Sequence, residues 1–134
     1  MAPTFNGIGH AAADMAATLA FYRKLGLDIP AGADQEPHAE ALLPGGVRLM
    51  WDTYDTLKSF EPDWTPPKEP GGSLAFLCAD AAEVAAVYAD MVKAGYDGHH
   101  EPWNAEWGQR YAVLRDPDGN GVDLFAWLPS AATG

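Results

Sequence analysis

The sequence predicts an α+β fold assembled from two βαβββ modules, and three observations carry that expectation. The order strand, helix, strand, hairpin occurs twice along the 134 residues. Each predicted helix opens on an aspartate, Asp14 or Asp80, and closes on a glycine, Gly26 or Gly95. Each predicted hairpin bends at a strong turn signal, Pro44-Gly45-Gly46 or Asp116-Pro117-Asp118-Gly119-Asn120. The first module spans about 5–52, a linker about 53–72 and the second module about 73–128, all within one domain.

The elements follow in order. Residues 5–13 read as a strand, and Asp14 caps a helix that runs to about Leu25. A strand after Gly26 leads into a loop, and His38–Leu43 pairs with Val47–Trp51 as the first hairpin. Residues 52–72 are rich in Pro and Gly and read as the linker. Strand 73–79 precedes Asp80-Ala81-Ala82-Glu83, which resembles a capping box, and Val84, Val87, Tyr88 and Met91 recur at helical spacing. A strand near Tyr96–His100 and the hairpin 108–115 with 120–127 complete the second module. Between them lies a segment with two tryptophans, Pro102-Trp103-Asn104-Ala105-Glu106-Trp107-Gly108. Indoles offer large rigid faces at little entropic cost, which suits them to gripping a planar ligand.

Composition narrows the function. Apolar content of 48% and charged content of 20% are those of a globular domain, and no apolar run approaches the roughly 20 residues of a membrane span. The first 13 residues lack the basic start and apolar stretch of a signal peptide, so a cytoplasmic location is expected, with no membrane partner. Nineteen acidic against eight basic residues leave a formal charge of −11, which repels nucleic acid and either serves solubility alone or favours a cationic over an anionic ligand. The lone Cys78 lies in an apolar run and reads as a small core residue. No phosphate-binding glycine loop or nucleophile elbow is present, and Asp116 and Asp118 read as turn residues rather than a catalytic pair.

Asp14-Met15 with Phe21-Tyr22-Arg23-Lys24-Leu25-Gly26-Leu27, and the Asp116–Asn120 turn leading to Asp123-Leu124-Phe125, resemble the vicinal oxygen chelate superfamily over nearly the whole chain. That superfamily includes glyoxalase I, extradiol dioxygenases, fosfomycin-resistance enzymes and bleomycin-binding proteins. The resemblance implies that the modules form a curved mixed sheet with a ligand cleft. Within the superfamily, Phe21–Pro30, Trp51-Asp52-Thr53, Pro102-Trp103-Asn104-Ala105 and Trp107–Ala112 are most similar to mitomycin-binding resistance proteins. In metalloenzymes of the superfamily the ligands fall at the positions of Gly7, Arg48, Ser73 and Asp123, and only Asp123 keeps a carboxylate. A divalent site needs about three matching donors, so no metal and no other cofactor is expected.

Strand alternation puts Arg48, Met50 and Asp52 on one face and Trp51 on the other, where it reads as core. His10 falls opposite Gly7, and the adjacent His99 and His100 point to opposite sides. Asp123 shares a face with Phe125, and Trp107 and Tyr111 share a parity with Gln109. Resemblance to the mitomycin binders implies that Trp107 stacks on the ligand and that His38 lies near it. The expected ligand-binding residues are His38, Arg48, Asp52, Trp103, Trp107, Arg110, Tyr111 and Asp123, with no catalytic residue; Tyr54 and Trp64 are weaker aromatic candidates. The implied protein is a homodimer that sequesters a small planar antibiotic. The alternatives are a glyoxalase-like lyase, isomerase or dioxygenase with an unconventional metal site, a metal-free catalyst using His38 and Asp123, or a carrier in a biosynthetic pathway.

Overall fold

Asp14 starts the first helix as its position requires: the residue is extended (φ −134°) and its carboxylate accepts the backbone N–H of Ala17 at 3.1 Å. The computed structural model describes residues 2–69 and 72–129, which divide into two units that separate after Pro67.

In the first unit β1 (Gly7–Ala12) leads to α1 (Met15–Lys24), a 3-10 turn (Ala31–Gln35), the hairpin of β2 (His38–Leu42) and β3 (Arg48–Thr53), and α2 (Tyr54–Phe60). The sheet order is β1-β3-β2, with β1 parallel and β2 antiparallel to β3. The strand expected after Gly26 does not form. Arg23 reaches forward to bond the carbonyl oxygens of Ile29 and Pro30 and the carboxylate of Asp34 (2.8 Å), which curls this segment against the end of α1. The expected linker also contains α2, whose first turn is capped by the Thr53 hydroxyl.

Alternation gives this sheet two unlike faces. Leu49, Trp51, Ala39 and Ala41 are buried on the side that α1 supplies with Leu19, Phe21 and Tyr22. Trp51 is fully buried and its ring lies 5.2 Å from that of Tyr22, so it is core, as its parity requires.

In the second unit β4 (Ser73–Leu77) precedes α3 (Ala81–Lys93), β5 (Asp97–Ala105), β6 (Gln109–Arg115) and β7 (Gly121–Trp127). The order is β4-β7-β6-β5, with β4 parallel to β7 and the rest antiparallel. Asp80 accepts the Glu83 N–H and the Glu83 carboxylate returns to the Ala79 N–H, both at 2.9 Å, so the capping box closes one residue further back than its usual form. α3 packs on β5, β6 and β7, burying Val84 and Met91 against Ala112, Leu114, Val122 and Leu124. The β6–β7 turn is held by Asp116, whose carboxylate accepts the N–H groups of Asp118 and Asn120 at 2.9 Å and the Asn120 side-chain amide at 3.1 Å.

β5 runs further than its sequence suggests. It crosses two register shifts, between Gly98 and His100 and between His100 and Trp103, and continues through Pro102 to Ala105. It is an edge strand, where a proline costs no ladder bond on its outer side. Trp103, placed in a loop by its sequence context, therefore pairs with Tyr111. Among the described residues no helix is long and apolar enough to cross a membrane.

Trp51→Ala is expected to lower stability by about 3–5 kcal/mol. Trp51→Phe is expected to cost less, because Trp51 Nε1 has no protein partner among the described residues to lose. Urea unfolding of the two variants beside the parent measures the difference.

Candidate functional site

Most of the residues expected to bind ligand lie on or beside two uncovered sheet faces, one in each unit. On the first, β2 contributes His38 and Glu40, and β3 contributes Arg48, Met50 and Asp52. Antiparallel register sets His38 opposite Asp52. Imidazole Nδ1 meets Asp52 at 2.7 Å and Nε2 meets Glu40 at 2.9 Å. Glu40 also accepts from Arg48 Nη1 at 3.0 Å, and Arg48 Nε donates to the Asn6 side chain at 2.9 Å.

A carboxylate oxygen only accepts, so both ring nitrogens must carry hydrogen for both His38 bonds to form. The imidazolium is favoured: the bond to Glu40 and then that to Asp52 raise the His38 pKa above its ordinary value. The same bond holds Glu40 below the usual carboxylate range. In this state His38 has no free ring nitrogen with which to take a substrate proton or ligate a metal.

On the second unit's face, alternation aligns Tyr111 on β6, Phe125 on β7 and Leu77 on β4 in one row, with Trp103 of β5 beyond Tyr111. Trp107 stands at the β5–β6 turn, where Gly108 takes φ +92° and closes a bond to the Ala105 carbonyl. The rings interlock edge to face: Trp103 and Trp107 are 6.1 Å apart at 90°, and Tyr111 lies 5.5 Å from Trp103 and 5.4 Å from Trp107. The Phe125 ring lies 6.4 Å from that of Tyr111 with 30° between their planes, and perpendicular to Trp127 at 6.2 Å. Trp107 (55%), Trp127 (60%) and Leu77 (65%) stay largely exposed, so this is apolar surface that no described part of the chain covers.

Polar groups are few here and each is fixed. Trp107 Nε1 donates to Gln109 Oε1 at 2.8 Å, which orients the indole. The Tyr111 hydroxyl donates to Asp123 Oδ2 in a short hydrogen bond, and Ser73 Oγ donates to the same oxygen at 3.3 Å. Burial, and after it the bond to Asp123, push the Tyr111 phenol up to about 12, so it stays a donor at neutral pH. Arg110 lies on the other parity and bonds Asn104 across the β5–β6 pair at 3.2 Å, away from the aromatic row. Tyr54 and Trp64 face each other at 5.0 Å in the first unit.

Three contributors were not among the expected residues. Phe125 and Trp127 follow Asp123 at the two-residue period of a strand, so alternation alone identifies them. His100 lies 3.9 Å from the Trp103 ring; the register shift beside it hid that contact from any simple parity argument.

The positions at which the family resemblance implies metal ligands meet in pairs. Gly7 and Arg48 are register partners, and a Cβ at Gly7 would meet the Met50 methyl at 2.6 Å, so a methionine covers that position. Ser73 and Asp123 also meet, but they offer a neutral hydroxyl and a carboxylate already bonded to Tyr111. Neither pair fits a divalent ion. Among the described residues no group of three His, Cys, Asp or Glu side chains is placed to hold one.

A family model described as the Glyoxalase/Bleomycin resistance protein/Dioxygenase superfamily matches residues 5–124. Among solved structures the chain is similar to a glyoxalase/bleomycin resistance protein/dioxygenase family enzyme from Burkholderia phytofirmans PsJN, at 16% identity and a TM-score of 0.82, covering 94% of this chain and 100% of that one. A glyoxalase/bleomycin resistance protein/dioxygenase from Nocardioides matches at 21% identity and 0.74, covering 96% and 86%. Lactoylglutathione lyase from Agrobacterium tumefaciens matches at 21% and 0.66, covering 94% and 95%. At such identities the likeness is one of fold. No curated protein matches the chain.

His38 is expected to titrate above about 6.5, the ordinary histidine value, with Glu40→Gln and Asp52→Asn each bringing it down in a proton NMR titration. Because its folded pKa is raised, the stability the network contributes is fully present below the unfolded value and is lost as pH rises through the folded one.

Proposed function

The chain belongs to the glyoxalase/bleomycin resistance protein/dioxygenase superfamily, and from that premise we propose that it is a metal-free drug-binding protein of the bleomycin and mitomycin resistance type. It holds a planar antibiotic on the aromatic face of its second unit and lowers the free drug concentration without breaking a bond. The observation that carries this reading is the interlocked row of Trp103, Trp107, Tyr111, Phe125 and Trp127, three of whose rings come from different strands of one sheet and two of whose indoles remain largely exposed.

The energetics suit reversible capture. Covering about 200 Å² of ring surface contributes about 5 kcal/mol before the cost of association. The edge-to-face contacts and the Trp107–Gln109 bond hold the rings in place before ligand arrives, so little side-chain freedom remains to be lost. Catalysis in the manner of the family's metalloenzymes finds less support. Its ligand positions hold Gly7, Arg48 and Ser73, and both nitrogens of His38 are engaged.

Tryptophan fluorescence of chelator-treated protein, titrated with mitomycin C and separately with metal-free bleomycin and checked by calorimetry, tests the reading. Saturable stoichiometric binding of either drug supports it, and binding of neither overturns it. Trp107→Ala is expected to weaken the complex by about 1–3 kcal/mol with the fold intact by circular dichroism. Unchanged affinity in that variant removes Trp107 from the site.

A further inference from the structure

The aromatic row ends on a fixed negative charge. Asp123 lies two residues before Phe125 on β7, so its carboxylate stands about 7 Å along the strand from that ring, on the same face. Tyr111 reaches it diagonally from β6, and Ser73 reaches it from β4 across the Ser73–Gly121 register pair. Both donors are neutral and both reach Oδ2, so the charge is oriented rather than cancelled, and Oδ1 keeps its acceptor capacity. The phenol stays neutral, since it remains protonated far above neutral pH.

The surroundings act in the same direction. Aromatic faces present the negative side of their quadrupole to a ligand lying over them. Arg115, which shares the parity of Tyr111 at the end of β6, is the cation that works against this, but it bonds His99 Nε2 at 3.3 Å and makes no ion pair with Asp123 among the described residues. The remaining neighbours of Asp123 in its row, Ala75 and Val113, are apolar.

We propose that Asp123, held by Tyr111 and Ser73, is the counter-ion of the bound ligand, and that this face selects planar cations over neutral planar molecules of the same outline. The inference rests on the reading of the aromatic face as a planar-ligand site and names the chemical class it takes: a fused aromatic system carrying a protonated amine or a ring-delocalised positive charge. A ligand about three rings long, lying on the Tyr111–Phe125 row, spans the distance to the carboxylate.

The test compares two tricyclic fluorophores of nearly identical shape, cationic proflavine and neutral acridone, titrated at neutral pH into the parent and into Asp123→Asn. Asparagine keeps an oxygen that Tyr111 and Ser73 can reach, and circular dichroism verifies the fold. The parent is expected to bind proflavine at least tenfold more tightly than acridone, and Asp123→Asn is expected to reduce that ratio about tenfold, whereas Asp123→Glu retains most of it. Equal affinity of the parent for the two probes overturns the inference and leaves the planar-ligand reading standing. A preference that survives in Asp123→Asn also overturns it, by assigning the effect to the general charge of −11. Binding of neither probe overturns the inference together with the planar-ligand reading beneath it.

Discussion

Everything at the candidate site depends on how α3 covers the second sheet. The helix lays Val84 and Met91 over Ala112, Leu114, Val122 and Leu124, and the two-residue period of the strands then commits every other side chain to the opposite face. Tyr111, Val113, Asp123, Phe125 and Trp127 are on that face because their neighbours are needed in the core. A slip of one residue in β7 would bury Asp123 and expose Leu124, so the hydrophobic packing also fixes the site's register. The first sheet obeys the same rule: burying Leu49 and Trp51 turns Arg48, Met50 and Asp52 outward.

The two uncovered faces use this constraint for different ends. The face of the first unit carries a chain of ion pairs through Arg48, Glu40, His38 and Asp52, with the neutral Asn6 amide bonded to Arg48 at one end. At partly exposed positions such pairs contribute little stability individually, and their clearest consequence is to remove His38 from acid-base work. The face of the second unit leaves aromatic surface unsatisfied and keeps one carboxylate for an incoming group. Unpaired binding capacity therefore lies with the aromatic row, and this asymmetry separates a binding reading from a catalytic one.

The sequence made α1, α3 and both hairpins legible, because their signals are local. Asp14 with Ala17, Asp80 with Glu83, and the positive-φ glycines Gly26 and Gly95 act within a few residues of themselves. Every paired residue of the β2–β3 hairpin is centred on Gly45, so the His38–Asp52 partnership was implicit in the Pro44-Gly45-Gly46 turn. What was not legible depends on contacts across the fold. Arg23 binds carbonyls six and seven residues away and replaces an expected strand with a 3-10 turn. Two register shifts and Pro102 disguise β5 as a loop, which is why the Trp103–Tyr111 contact and the place of His100 could not be read from alternation. Arg110 was expected near ligand for its chemistry alone, and its parity sends it to Asn104 instead.

The positions at which the family resemblance implies metal ligands are adjacent in pairs, one pair in each unit. Gly7 and Arg48 remain partners across β1–β3, and Ser73 and Asp123 still touch across β4 and β7. Side chains thus converge at two places, one in each unit, and the groups delivered there do not make up the donor set a divalent ion requires. In the second unit Asp123 keeps its charge, and a phenol and a hydroxyl now hold the carboxylate. A carboxylate held by neutral donors beside aromatic rings is poorly matched to a hard dication, which demands several oxygens. It is well matched to a diffuse organic cation, which needs one counter-charge and broad apolar contact. On the second unit's face the aromatic row and the single carboxylate therefore suit the same kind of ligand.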